Sequence, residues 1–120
     1  METLTRREEE LMQLIWQLGP LFVREMVEMM PDPKPHFNTL STMVRTLETK
    51  GYVAHKAFGG TYQYYPTVSE EQFSRRTLRS VIDRYFERSY VGAVSALVEE
   101  EKISVEELRR LIDQIEKQSL

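Results

Sequence analysis

The stretch FNTLSTMVRTLETKGYVAHKAFGGTYQYYPT (37–67) decides the fold. Leu40, Met43, Val44 and Leu47 recur at helical spacing, which predicts an amphipathic helix over about 37–50. Gly51 supplies its stop. The segments 52–58 and 62–67 are rich in β-branched and aromatic residues and flank Gly59-Gly60, the pattern of a hairpin over about 53–67. A helix running straight into a Gly-Gly hairpin is the second half of a winged helix-turn-helix.

Upstream, the first half is present. Thr5 with Glu8 forms a T-x-x-E capping box, and Leu11, Leu14, Ile15 and Leu18 continue as a helical stripe widened by Met12 and Trp16. Gly19-Pro20 ends that helix. A shorter helix is expected from about Phe22 to Met30, with Val23, Met26, Val27 and Met30 on one face. PDPKP (31–35) then breaks the chain before the third helix.

Downstream, the sequence is helical to its end. Ser69 with Gln72 caps a helix reaching about Glu87, Tyr90 to Val98 mark a short helix, and Ser104 with Glu107 caps a last one. The expected fold class is mainly α with a small β-hairpin wing: a winged helix-turn-helix at 1–68, followed by a three-helix tail at 69–120. Each tail helix carries one apolar stripe. Phe73, Ile82, Tyr85, Phe86, Val94, Leu97, Val98, Leu108, Leu111 and Ile115 would leave large patches bare in a monomer, and a twofold dimer is the commonest cover. These ten residues are the candidate dimerisation set.

The third helix carries the candidate function. At about 100° per residue, Asn38, Thr42, Arg45 and Thr49 lie opposite its apolar stripe, with Thr39 and Ser41 beside them. None is acidic, whereas an ordinary solvated face mixes Glu and Lys. An amide can bond an adenine edge in two places, a guanidinium can fork onto guanine or phosphate, and short hydroxyls permit close approach to a DNA backbone. Asn38, Thr39, Ser41, Thr42 and Arg45 are therefore the candidate reading residues, with Lys34, Lys50, His55 and Lys56 as candidate phosphate contacts at the helix ends and wing.

Composition narrows the remaining classes. The 120 residues carry a net charge of −3, which alone disfavours a nucleic-acid partner. The distribution matters more. Residues 32–68 balance to +2, against −3 for residues 1–31 and −2 for residues 69–120. There is no cysteine, so disulfides, thiolate metal sites and cysteine nucleophiles are excluded and a reducing interior is expected. His36 and His55 lack the spacing of a zinc pair, and neither metal nor cofactor is expected. The longest apolar run, residues 91–98, is too short to span a bilayer, and residues 1–10 do not form a signal peptide; a cytoplasmic protein is expected. No nucleophile-base pair or phosphate-cradling loop supports an enzyme. The rival to operator binding is a winged-helix protein-interaction module without DNA binding; a regulator that senses a ligand between the winged domain and the tail would keep the DNA function and change only the signal.

The sequence resembles the penicillinase-repressor (BlaI/MecI/CopY) family of winged-helix transcriptional repressors over nearly its whole length. The marks are LTRREEELMQLIWQLGP (4–20), NTLSTMVRTLETKGYV (38–53), HK (55–56), QYYP (63–66) and SVEELRRLIDQIE (104–116). The resemblance implies a homodimer that represses by binding a palindromic DNA operator through its winged domain and dimerises through its C-terminal helices. It places the operator-contacting helix on Asn38, Thr39, Ser41, Thr42 and Arg45 and the wing on His55 to Tyr62. It also implies release by a membrane sensor protease cutting the dimerisation region. The Asn-Phe pair of that cut is absent here, its place falling near Ala96-Leu97, and the cysteine-rich motif of the copper-responsive branch is absent too.

Overall fold

A computed structural model of the chain describes residues 3–119. It contains α1 (Arg6–Leu18), β1 (Leu21–Phe22), α2 (Val23–Met29), α3 (Phe37–Thr49), β2 (Val53–Phe58), β3 (Thr61–Pro66), α4 (Glu70–Tyr85), α5 (Tyr90–Glu99) and α6 (Val105–Ser119). The expected fold class is present: a winged helix followed by a helical tail. The chain divides into two compact units, Met1–Ser74 and Arg75–Leu120.

In the first unit, α1 starts where its capping box says it should. The Thr5 hydroxyl accepts the Glu8 N–H at 3.2 Å, and the Glu8 carboxylate accepts the Thr5 N–H at 2.7 Å. Leu11, Met12 and Ile15 of α1 meet Met26 of α2, Met30 just after it, and Leu40, Val44 and Leu47 from α3, all almost entirely buried. Each such side chain contributes about 1.5–3 kcal/mol. Three helices share one core because each presents a single apolar stripe.

Gly51 turns the chain out of α3 at φ +89°, a region that disfavours any residue with a Cβ. β2 and β3 then pair antiparallel from Val53 opposite Pro66 to Phe58 opposite Thr61, with Gly59 at φ +61° in the two-residue turn. The sheet has one strand beyond the expected hairpin. Leu21 and Phe22 pair with Tyr64 and Gln63, giving the order β1-β3-β2. These two residues were expected to lead into or begin α2. The helix starts one residue later, at Val23, with the Glu25 carboxylate accepting the Phe22 N–H at 2.8 Å.

The first turn of α4 belongs to this unit. Phe73 packs against Trp16 at 5.4 Å between ring centroids and against Tyr52 at 6.0 Å, and the Trp16 indole donates to the Val68 carbonyl at 2.8 Å. Phe73 is therefore a core residue of the winged unit, which corrects its place among the dimerisation residues.

The second unit holds the rest of α4 with α5 and α6. Its caps follow the sequence as well. Ser89 caps α5 by accepting the Gly92 N–H at 3.0 Å, and Ser104 and Glu107 close a reciprocal box before α6. The Ser104 bonds hold the Glu107 carboxyl below its ordinary range. A Cβ on Gly92 would lie 2.7 Å from the Ser89 hydroxyl oxygen, so a larger residue there would make that hydroxyl shift. No described helix is long and apolar enough to cross a membrane.

Candidate nucleic-acid interface

α3 is held from behind by Leu40, Val44 and Leu47, which fixes what it shows in front. Asn38, Thr39, Thr42 and Arg45 are exposed and Ser41 is half-buried, so the five candidate reading residues share one accessible side. The one acidic residue of α3, Glu48, is turned to the wing. There its carboxylate meets the His55 Nδ1 at 2.8 Å. His55 in turn stacks on Tyr62 at 4.4 Å and lies 5.5 Å from Tyr64. Burial, with the Glu48 charge nearby, raises the Tyr64 phenol above its ordinary pKa. The carboxylate is thus bonded to a wing partner, and the wing is fastened to α3 by the same contact.

Three threonine hydroxyls of α3 turn back onto their own helix. Thr42 donates to the Asn38 carbonyl at 3.0 Å, Thr46 to that of Thr42 at 3.0 Å, and Thr49 to that of Arg45 at 3.1 Å. Each thus spends its proton on its own helix, four residues back, which leaves its methyl group as the part free to meet a partner. Arg45 donates through Nε to the Ser41 carbonyl at 3.3 Å, which leaves the outer nitrogens of its fork available.

The candidate phosphate contacts divide. Lys56 is exposed on β2, with its Nζ 6.0 Å from the Tyr65 ring centre. His55 is committed to Glu48 as described. Lys34 is exposed, but its ammonium donates to the Glu28 carbonyl at 2.7 Å and the Met30 carbonyl at 3.3 Å, closing the end of α2 and keeping one N–H spare. Lys50 is corrected outright. Its side chain is only 15% exposed, and its Nζ is 2.8 Å from the Glu8 carboxylate and 3.0 Å from the Thr3 carbonyl. It is an internal tie rather than a surface cation.

Between the start of α2, the exposed side of α3 and the wing lies an open groove of about 370 Å³. Phe22, Arg24, Phe37, Ser41, Arg45, Thr61, Tyr62 and Tyr64 line it. Arg24 and Phe37, like Phe22, Val23 and Tyr64, line it without being candidate site residues from the sequence. Arg24 is the one cation of α2, and its position just after the Gly19-Pro20 break was the available signal. Neither Arg24 nor Arg45 pairs with a carboxylate among the described residues.

This arrangement has relatives. The sequence model described as Penicillinase repressor matches residues 4–117. The chain belongs to the penicillinase repressor family. Among curated relatives, it is 28% identical to the methicillin resistance regulatory protein MecI of Staphylococcus aureus (strain N315), over 88% of this chain and 89% of that protein. It is 25% identical to the penicillinase repressor of Bacillus licheniformis, over 91% and 86% respectively. A 16.5 kDa protein of Latilactobacillus sakei is 23% identical over 90% of this chain and 75% of its own. As a member of the penicillinase repressor family, the chain is a transcriptional regulator and not an enzyme.

In this penicillinase-repressor chain the tail residues also divide. Ile82 is already buried in the single chain, so it drops out of the dimerisation set as Phe73 does. Tyr85, Phe86, Val94, Leu97, Leu111 and Ile115 are exposed, and Val98 and Leu108 are half-buried. Tyr90, Val91, Val94, Val98 and Leu108 wall an apolar groove of about 470 Å³ in the second unit.

Proposed function

We propose that the chain is a homodimeric repressor that reads a palindromic operator. Residues 1–68 bind DNA, with the first turn of α4 completing their core, and the remainder of residues 69–120 dimerises. The observation that carries the reading is the acid-free exposed side of α3, where Asn38, Thr39, Ser41, Thr42 and Arg45 stand beside the wing while Glu48 is held away by His55. A helix of this kind enters the major groove with its base contacts on one side and the wing against the adjacent backbone. Lys56 and the spare N–H of Lys34 are the phosphate contacts this reading retains.

Half-exposed Leu97 and Leu111, with the apolar groove of the second unit, support dimerisation through the tail. Two linked winged domains gain affinity through effective concentration, and their twofold axis matches a palindrome with half-sites about one helical turn apart. Release by a sensor protease rests on the family resemblance alone. The corresponding position, Ala96-Leu97, lies inside α5, so that helix would have to open before it could be cut.

Selection of bound sequences from random duplex DNA, followed by titration of the winner at several salt concentrations, tests the reading. A two-half-site consensus and an affinity falling steeply with salt are expected. Arg45→Ala should then cost about 1–3 kcal/mol or relax one base position. Recovery of no consensus, with binding indifferent to salt, would overturn it in favour of a protein-interaction module.

A further inference from the structure

The groove between α2, α3 and the wing has a chemistry of its own. Its walls are largely aromatic: Phe37 and Tyr62, each 50% exposed, line a space of about 370 Å³, inside the size range of small-molecule sites, about 300–1,000 Å³. Beside the hydroxyls of Ser41, Thr61, Tyr62 and Tyr64, its charged groups are of one sign, the guanidiniums of Arg24 and Arg45, neither of which is in an ion pair with a carboxylate among the described residues. The wall is also fixed in advance. Tyr62 stacks on His55, and His55 is bound to Glu48 of α3, so the wing side of the groove is tied to the helix side. A preformed aromatic slot with two unpaired forked cations is complementary to a flat ring that bears a carboxylate.

We infer that this groove binds small aromatic carboxylates, and that a bound one excludes DNA by covering Ser41 and Arg45. The ring lies against Phe37 and Tyr62, and the carboxylate accepts from Arg24 and Arg45. The binding half stands independently, while the exclusion half rests on the operator reading above.

The probe is naphthalene-2-carboxylate, added to the full-length protein and followed by amide NMR. Saturable shifts at Ser41, Arg45, Thr61 and Tyr62 are expected. The neutral naphthalene-2-carboxamide should bind at least about tenfold more weakly, because it lacks the charge-assisted bonds. Arg24→Ala should lose a comparable factor while its spectrum away from the groove stays that of the folded protein. Phe37→Ala, at a half-exposed position, provides a second variant expected to weaken the probe. Absence of saturable shifts at millimolar probe, shifts elsewhere only, or equal affinity for acid and amide would overturn the binding site. With operator present, the probe should raise the apparent operator Kd in step with its occupancy. A filled groove with unchanged operator affinity would overturn the exclusion. If no operator is ever selected, the repressor reading fails while the shifts still decide the site.

Discussion

The Lys50 ammonium lies 2.8 Å from the Glu8 carboxylate, joining the first turn of α1 to the end of α3 across 42 residues. Glu8 is 5% exposed, and it also closes the α1 capping box. One carboxylate therefore closes a helix start and ties it to the end of α3. Lys50→Ala would strand a buried charge, and breaking a buried pair from one side costs about 3 kcal/mol. Denaturant unfolding should show a lower midpoint with an unchanged slope. If the variant still folds, its operator binding should keep the same dependence on salt, because Lys50 touches no phosphate.

The same pair sets an acid limit. Burial pushes the Glu8 carboxyl up, but the bonds from Lys50 and Thr5 outweigh it and leave its pKa below the ordinary 4.5. A depressed carboxyl contributes stability in full above its unfolded value and loses it as pH falls through the folded one. Glu8→Gln should be less stable than the parent at neutral pH, and the gap should close as pH drops below 4.5. Unfolding free energies measured from pH 7 to pH 3 check this. A gap that stays constant would place the cause in packing rather than charge.

Local signals in the sequence carried furthest. The Thr5–Glu8, Ser69–Gln72 and Ser104–Glu107 boxes are all made, because each is closed by residues three apart and needs no tertiary partner. Leu21 and Phe22 form a strand only because Tyr64 and Gln63 arrive beside them, and nothing local announces that. Lys50 looked like a surface cation for the same reason: its partner is 42 residues away. Phe73 fits the apolar stripe of the tail, yet its ring is taken by Trp16 and Tyr52. The exposed residues of α3 were legible because the 3.6-residue period fixes them once the core stripe is known. Arg24 was not, since its relevance depends on how α2 and the wing come together.

Thr42 separates two ways of meeting DNA. Its hydroxyl proton is already spent on the Asn38 carbonyl at 3.0 Å, so the outward group is a methyl. Thr42→Val keeps the methyl and loses the hydroxyl; Thr42→Ser does the reverse. If a thymine methyl or sugar packs there, Val should bind the selected operator within about twofold of the parent. Ser should lose about 0.8 kcal/mol, roughly fourfold. The opposite order would mean that the hydroxyl turns outward to a phosphate.

The place where the winged unit ends can be read by truncation. A chain stopped at Ser74 keeps Phe73 and the Val68 carbonyl that accepts from Trp16; one stopped at Pro66 loses both. The longer fragment should unfold cooperatively. The shorter should be weaker by about 2 kcal/mol or more, from the lost aromatic burial and the unpaired indole N–H. Thermal melts of the two fragments decide it, and equal midpoints would show that the first turn of α4 adds nothing to the core.

Dimerisation through the tail demands that an exposed leucine there be worth more in the pair than alone. Leu111 is 50% exposed on α6 and Leu97 42% exposed on α5, so a carboxylate at either costs little in a single chain. Buried across an interface without a partner, it would cost several kcal/mol. Leu111→Glu and Leu97→Glu should therefore leave the unfolding of the winged unit unchanged and shift sedimentation from dimer to monomer. Operator affinity should fall with the dimer, because the gain from effective concentration, about 10²–10⁴-fold, goes with the linkage. A single half-site should be bound equally well by parent and variant. A monomeric variant that still holds the full palindrome as tightly as the parent would show that the two winged domains were never acting as a pair.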